Sequence, residues 1–150
     1  MKNDEIDDTV LRLGGFIPYR LMTAAEKVSL GFSQVYKRQN GISRPEWRVL
    51  ASLAELAKAT ATEIGRHSSM HKTKVSRAVF GLEGRRWLKR LADEKDRRVE
   101  WLELTALGKS QFSKLARLAH DYQAGLVKAL GREEADRLMR ILDKLDSFSK

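Results

Sequence analysis

Basic side chains are concentrated in the middle of this 150-residue chain. Residues 65–98 contain 11 Lys or Arg and 4 Asp or Glu, a net charge of +7, whereas residues 1–64 and 99–150 carry +1 each. Such cations bind phosphates, and arginine also recognises base edges, so the block favours a polyanionic partner, above all nucleic acid. A solvated helix face is the alternative. A membrane surface is disfavoured because the block leaves no broad apolar face for lipid.

Other kinds of chemistry find little support in the sequence. The absence of cysteine excludes disulfide bonds, thiolate zinc sites, thiol nucleophiles and peroxide sensing through a thiol. The three histidines, His67, His71 and His120, lack the spacing of metal ligands. Gly108-Lys109-Ser110 resembles the end of a phosphate-binding loop, but Glu103 stands where that motif requires its first glycine. We therefore predict a protein that is not an enzyme and that uses no cofactor or metal.

The composition is that of a globular protein. Hydrophobic residues make up 42% and charged residues 33% of the chain, which suits one domain or two small lobes around a shared core. No apolar run reaches the roughly 18 residues that span a bilayer, and the first residues are acidic rather than apolar. We expect a soluble, cytoplasmic protein without a membrane partner.

Helix-capping patterns place the basic block on short helices. A Ser or Thr three residues before a Glu predicts two helix starts, at Ser43 with Glu46 and at Thr60 with Glu63. Ser68-Ser69 offers a third N-cap, for a helix over residues 70 to about 86.

A strand-like period follows these helices. Residues 88–92 and 99–104 predict a β-hairpin whose tip, residues 93–98, is highly charged. Because the hairpin is short and comes directly after the basic helix, we expect the two to form one surface. The predicted order of the whole chain is α-α-α-α-β-β-α-α.

Apolar helices flank the basic block. Residues 6–13 predict a short helical piece that ends at Gly14-Gly15, after which Pro18 either lies in the first turn of a new helix or kinks a continuous one. The long helix runs from Tyr19 to Arg38, and two more are predicted over residues 107–130 and 135–148. Their apolar residues exceed what one small core can bury, which predicts packing against a second copy of the chain.

The helix over residues 70–86 presents basic residues opposite its core face. On a helical wheel the core-facing residues fall together: Val75, Ala78, Val79 and Leu82. The opposite side carries Thr73, Arg77, Phe80 and Gly84, flanked by Lys74 and Ser76. We expect Arg77 to read guanine and Thr73 to touch a base edge or a thymine methyl group. Lys72 and Lys74 should hold phosphates. For Phe80, packing under the hairpin is the preferred interpretation.

The stretch from Ile42 to Gly108 resembles the MarR family of bacterial transcriptional regulators, and the flanking helices extend the resemblance over nearly the whole chain. It is carried by four segments in order: Pro45-Glu46-Trp47-Arg48-Val49-Leu50, Lys72-Thr73-Lys74-Val75-Ser76-Arg77-Ala78-Val79, Asp93-Glu94-Lys95-Asp96-Arg97-Arg98 and Leu104-Thr105-Ala106-Leu107-Gly108. The resemblance implies a mainly α fold with a small β wing, a winged helix-turn-helix. It also implies dimerisation helices at residues 1–41 and 106–150 around a DNA-binding lobe at residues 42–105.

The resemblance assigns roles to the hairpin, which becomes the wing. In the family an aspartate orients one wing arginine through a salt bridge, and an arginine enters the minor groove. Here these roles fall on Asp93, Asp96, Arg97 and Arg98, with a solvated hairpin tip as the alternative. Two residues depart from the family pattern. Glu94 stands where proline is frequent in the family. Arg86 stands where a glycine often ends the recognition helix, so the C-terminus of this helix need not follow the family pattern.

The resemblance further implies a homodimer that binds double-stranded DNA and a small aromatic or carboxylate effector. Candidate effector-binding residues are Tyr19, Arg20, Trp47, Arg48 and His67, although ordinary core packing and surface arginines explain each of them individually. We therefore predict a repressor of pseudopalindromic operators that a small effector releases. A ligand-independent activator or architectural DNA-binding protein is the alternative, and an enzyme or metabolite-binding module that uses the fold without binding DNA is a third.

Overall fold

The computed structural model describes residues 11–148, and this part of the chain is mostly helical. After a 3-10 turn at Leu13–Gly15, its elements are α1 (Ile17–Asn40), α2 (Arg44–Leu56), β1 (Lys58–Ala59), α3 (Ala61–Ser68), α4 (Lys72–Gly84), β2 (Leu88–Ala92), β3 (Glu100–Leu104), α5 (Ala106–Leu130) and α6 (Arg132–Phe148). The predicted fold class, mainly α with a small β wing, is confirmed. None of the helices within residues 11–148 is long and apolar enough to cross a membrane.

The three strands form one antiparallel sheet in the order β1-β3-β2. β2 and β3 form the predicted hairpin, with Leu88 opposite Leu104 and Ala92 opposite Glu100. Sequence analysis missed β1, in which Lys58 pairs with Glu103. A segment of two residues is too short to show the alternation of apolar and polar side chains that identifies a strand in a sequence. Only its pairing with β3 makes this segment a strand.

The helix starts follow from local hydrogen bonds. Ser43 and Thr60 form the two predicted capping boxes at α2 and α3. The third predicted cap is wrong. Ser69 adopts a left-handed conformation (φ 52°) and ends α3, and His71 caps α4, its Nδ1 accepting from the Thr73 amide at 3.4 Å.

The start of α1 agrees with one of the two alternatives for Pro18. The proline lies in the first turn of α1 and does not kink it, and Gly41 ends the helix with a positive φ of 63°. The predicted break at Gly14-Gly15 is instead part of the 3-10 turn. Most of the helical piece predicted over residues 6–13 lies outside the described residues.

The main core lies between α2, α3, α4 and the sheet. Its buried side chains include Val49, Leu50, Leu53, Ile64, Val75, Val79, Leu82, Leu88, Leu102 and Leu104. α1 and α5 add Tyr36 and Leu115 to this cluster, whereas α6 buries only Ala135. The terminal helices of a single protomer therefore leave much of their apolar surface uncovered.

An aromatic cluster joins α1 and α5 to α2. Trp47 of α2 stacks with Tyr36 and with Phe112, at centroid separations of 5.8 and 5.9 Å. Phe32 meets Trp47 edge-on at 5.2 Å and lies 5.3 Å from Tyr122. Such pairs favour one relative placement of the helices beyond their simple burial.

The turn between α4 and β2 contains a strained residue. Arg86 has a φ of 61°, a left-handed conformation that favours glycine. Its amide donates to Glu83 O at 2.8 Å, and the Trp87 amide donates to Leu82 O at 2.9 Å. α4 therefore ends at Gly84 through a left-handed turn despite the absence of glycine at position 86.

Gly108 lies where α5 begins against this turn. It is inside the first turn of α5 and not in the turn that follows β3. Thr105 Oγ1 accepts from the Gly108 amide at 3.0 Å and donates to Arg86 O at 2.7 Å. A Cβ atom on Gly108 would overlap the carbonyl oxygen of Trp87. This position needs glycine because two backbone segments meet there.

Gly108→Ala should lower the free energy of unfolding by about 3 kcal/mol, because the added Cβ must displace backbone at both ends of the wing. Chemical denaturation measures this loss. Gly84→Ala is the matched control, since nothing lies within 4 Å of its added Cβ, and it should change stability by no more than about 1 kcal/mol. Equal stabilities of the two variants would contradict the assigned contact.

Candidate nucleic-acid interface

α4 presents a polar, basic face to solvent. Val75, Ala78, Val79 and Leu82 are buried as the helical wheel predicts. On the other side, the residues predicted to meet DNA are all exposed: Lys72, Thr73, Lys74, Ser76 and Arg77. Phe80 lies on the same side and is 75% exposed, so the prediction that it packs under the hairpin is wrong.

The wing tip is built on Asp93. One carboxylate oxygen accepts from the amides of Lys95 and Asp96, each at 2.9 Å, and the other accepts from the Trp101 indole at 2.8 Å. These hydrogen bonds, above all that from Trp101, lower the pKa of Asp93 below its ordinary value. Asp93 thus holds the shape of the tip.

The predicted aspartate–arginine pair of the wing is found at Asp96 and not at Asp93. Asp96 lies 3.7 Å from the Arg98 guanidinium and also accepts from the Arg98 amide at 3.0 Å. Arg97 is exposed and forms no salt bridge with any residue in the described part of the chain. The two arginines at the tip are therefore held differently.

The stem of the wing is electrostatically neutralised. Arg90 bridges Glu83 of α4 at 2.9 Å and Glu100 of β3 at 2.5 Å, while Lys89 pairs with Glu103 at 2.7 Å. The Arg90–Glu83 pair fastens the hairpin to the end of α4, and the other two pairs join β2 to β3. Because the charges of Lys89 and Arg90 are neutralised in this way, the stem contributes little to the attraction of phosphate.

Unpaired positive charge remains at the start of α4 and at the wing tip. Within residues 11–148, seven basic side chains of the central block form no salt bridge: Arg66, Lys72, Lys74, Arg77, Arg86, Lys95 and Arg97. Of these, Lys72, Lys74 and Arg77 lie on α4, and Lys95 and Arg97 lie on the tip. The arrangement suits a polyanion that spans the helix and the wing.

A polar cavity of about 440 Å³ lies beside the start of α4. It is lined by Glu26, Arg44, Pro45, Arg48, Ser69, Met70, His71 and Lys74. Arg44 pairs with Glu26 at 2.7 Å and donates to Ser29 Oγ at 2.9 Å. The hydrogen bond from Arg44 lowers the pKa of Glu26. The cavity wall therefore carries the cations Arg44, Arg48 and Lys74 and one carboxylate, that of Glu26.

The five predicted effector residues do not form one site within a protomer. Trp47, Arg48 and His67 line a shallower cavity of about 400 Å³ on the other side of Arg48. Tyr19 and Arg20 line neither cavity, and Arg20 donates to Gly14 O at 3.4 Å.

His67 is held by α2, as ordinary packing predicts. Its Nδ1 lies 3.0 Å from Ser52 Oγ, and its Nε2 lies 3.3 Å from Glu55. Sequence analysis missed Glu26, Arg44 and His71 as cavity residues, although Arg44 and Arg48 are four residues apart and so share one face of α2.

Asp93 should titrate below pH 3.8, the ordinary aspartate value. Because its pKa is lower in the folded than in the unfolded chain, the stabilisation it gives is complete above pH 3.8 and is lost as the pH falls through the folded value. The indole N–H resonance of Trp101, assigned through Trp101→Phe, should report this transition in an NMR titration. Asp93→Asn should abolish it, and a midpoint at or above pH 3.8 in the parent would refute the hydrogen-bonded tip.

Comparison with known proteins agrees with this geometry. Residues 40–99 match the model of the MarR family. A MarR family transcriptional regulator from Silicibacter pomeroyi is 28% identical, with a TM-score of 0.81 over 94% of this chain and 100% of that one. No curated protein sequence matches the chain.

Two further solved structures share the fold. A MarR/EmrR family regulator from Acinetobacter sp. ADP1 is 23% identical, with a TM-score of 0.83 over 93% of this chain and 98% of that one. NadR in complex with 4-hydroxyphenylacetate is 22% identical, with a TM-score of 0.74 over 91% of this chain and 96% of that one. Residues 40–99 thus match the MarR family, and the chain as a whole is similar in fold to solved transcriptional regulators of that family.

Proposed function

We propose that the protein is a homodimeric, sequence-specific repressor that binds pseudopalindromic operators and is released by a small aromatic carboxylate. The observation that carries the proposal is the group of unpaired cations on α4 and the wing tip, while the cations of the wing stem are paired. On this proposal the protein is non-enzymatic and acts on DNA in the cytoplasm.

α4 is the recognition helix in this proposal. The major groove is about 12 Å wide and admits one helix. Arg77 then faces a guanine edge, and Thr73, one turn earlier, faces a second base. Lys72, Lys74 and Ser76 flank this line and hold the phosphates that fix the helix in the groove.

The wing contacts the neighbouring minor groove. Asp96 orients Arg98, and Arg97 is the free arginine at the tip that enters the groove. Because Asp93 already orders the tip through three hydrogen bonds, little conformational entropy is lost when the wing meets DNA.

The terminal helices, in residues 1–41 and 106–150, form the dimer. Large apolar side chains on these helices are exposed in one protomer, including Ile17, Met22, Leu130, Leu138, Met139 and Ile141. A second copy would bury them, and two-fold symmetry would set the two α4 helices about one DNA turn apart. This geometry requires a pseudopalindromic operator.

The effector binds in the polar cavity beside α4. Arg44, Arg48 and Lys74 provide cations for a carboxylate, and Met70 and Pro45 provide apolar surface for a ring. The similarity to NadR, whose structure contains 4-hydroxyphenylacetate, supports an aromatic acid. Since Lys74 lies on both the cavity wall and the DNA-facing helix, a bound carboxylate competes with the operator for this side chain.

One observation favours a ligand-independent regulator as the second candidate. Glu26 already supplies a carboxylate to Arg44 within the same cavity. An internal ion pair of this kind can occupy the site permanently, which leaves DNA binding insensitive to small acids.

Operators selected from a random duplex pool should be pseudopalindromes, and binding should weaken steeply with salt. Arg77→Ala should cost about 1–3 kcal/mol and relax one base preference per half-site, because it removes a bidentate base contact. Arg97→Ala should weaken binding with little change in the bases preferred by α4. Fluorescence anisotropy with operator and shuffled duplexes measures both effects.

Arg117→Ala, which removes an exposed arginine from α5, is the charge-matched control for these measurements. It should bind like the parent. If Arg77→Ala and Arg97→Ala also bind like the parent, or if no palindrome is enriched, the proposed interface is wrong.

4-Hydroxyphenylacetate and related aromatic acids should release the operator in the same assay. Arg48→Met should raise the acid concentration needed for release by about 10-fold or more, the value of a hydrogen bond to a charged group. Arg20→Met is the matched control, since Arg20 does not line the cavity, and it should leave release unchanged. The absence of release by any acid would establish the ligand-independent alternative.

A further inference from the structure

Phe80 is a large apolar side chain exposed on the DNA-facing side of α4. It is 75% exposed, although the other aromatic residues near it in sequence, such as Trp87, are buried. It lies seven residues after Thr73 and three after Arg77, so the three side chains project from one face of the helix. A single exposed apolar side chain does not by itself require a partner, but the position of this ring beside Arg77 on the basic face of α4 places it where a bound partner would meet it.

The wing does not cover Phe80 within the protomer. The hairpin is fastened to the end of α4 by Arg90, which bridges Glu83 and Glu100. With this attachment in place, Phe80 remains exposed. The partner therefore comes from outside the chain.

The charge around Phe80 selects among partners. Arg77, one turn away on the same face, forms no salt bridge within residues 11–148, and Lys72 and Lys74 lie on the same helix. A second copy would bring the same cations against these, which is repulsive. A polyanion is attracted, so the partner of this face is DNA.

The spacing along α4 places Phe80 over a base pair adjacent to the one that Arg77 reads. Three residues advance about 4.5 Å along a helix axis, and successive base pairs are about 3.4 Å apart. The apolar group on the major-groove edge of a base pair is the C5 methyl of thymine, and phenylalanine is a side chain that contacts it.

We propose that Phe80 is a specificity-determining residue that packs on a thymine methyl group, one or two base pairs from the base read by Arg77. This inference rests on the proposed placement of α4 in the major groove. It adds to that placement a non-polar contact that discriminates thymine from cytosine and from uracil.

The test replaces each thymine of a selected operator, one position per half-site at a time, by deoxyuridine, which deletes only the methyl group. For the parent protein, one position should weaken binding about 4-fold, the value of burying one methyl-sized group. Phe80→Ala should bind the thymine operator more weakly by a similar factor and should no longer distinguish thymine from deoxyuridine there. Such loss of additivity identifies a direct contact.

Arg77→Ala separates this inference from the proposed function. It should bind weakly while keeping the parent's sensitivity to deoxyuridine. If Arg77→Ala binds like the parent, α4 does not read the operator and the proposed function fails. If Arg77→Ala is weakened but Phe80→Ala keeps the deoxyuridine sensitivity, or binds like the parent, only the thymine contact is wrong.

Two further outcomes would also overturn the thymine contact. Phe80→Ala could weaken all duplexes equally, including those that contain deoxyuridine, which would indicate contact with the sugar–phosphate backbone. Phe80→Ala could instead change the sedimentation coefficient of the free protein, which would indicate that a second copy covers the side chain. Phe80→Leu, which keeps an apolar side chain, should retain part of the methyl discrimination.

Discussion

The stacking of Trp47 on Tyr36 and Phe112 is the contact on which the position of the DNA-binding elements depends. α2 carries Trp47 on the side that meets α1 and α5, and its buried Val49, Leu50 and Leu53 belong to the core that it shares with α4. A shift between α1 and α5 can therefore reach α4 through α2. Because close-packed cores transmit strain, we expect movement of the terminal helices to be coupled to the position of α4. The polar cavity beside α4 lies on this route, between α1, α2 and the start of α4.

The distribution of ion pairs explains why the excess positive charge is concentrated on one part of the protein surface. The cations of the wing stem are close to Glu83, Glu100 and Glu103, so they stabilise the fold and contribute little to the outer field. Lys72, Lys74 and Arg77 of α4 and Lys95 and Arg97 of the wing tip have no salt-bridge partner among the described residues, so their field is directed outward, whereas Arg98 pairs with Asp96. Net charge alone does not make this distinction, since it counts Arg90 and Arg97 equally.

The features that sequence analysis predicted well are those decided within a few residues. Ser43 and Thr60 form capping boxes with glutamates three residues later in the sequence. Both partners of each hydrogen bond are therefore visible in a four-residue pattern. The core face of α4 follows in the same way from the helical period. One local prediction is wrong, since His71 and not Ser68 or Ser69 caps α4. The other errors concern contacts between distant segments. β1 exists only because Lys58 pairs with Glu103, and Gly108 is needed because α5 begins against the backbone of Trp87.

The site shows the same division. The exposed residues of α4 could be predicted from its period, but whether the hairpin covers Phe80 could be learned only from the position of the hairpin in the structure. Likewise, Tyr19 and Arg20 were predicted by residue type to share a site with Arg48, whereas the residues that share a cavity with Arg48 include Arg44 and Lys74. The type of a residue indicates which ligand groups it can bind. The packing of α1 against α2 decides which side chains line the same cavity.

The bridge that Arg90 makes between Glu83 and Glu100 has a consequence for operator architecture. It ties the hairpin to the end of α4, and β2–β3 pairing orders the hairpin itself. In the proposed DNA complex, this tie would limit changes in the distance between the bases met by α4 and the groove met by Arg97. In the proposed dimer, differences in half-site spacing would then fall on the base pairs at the centre of symmetry of the operator.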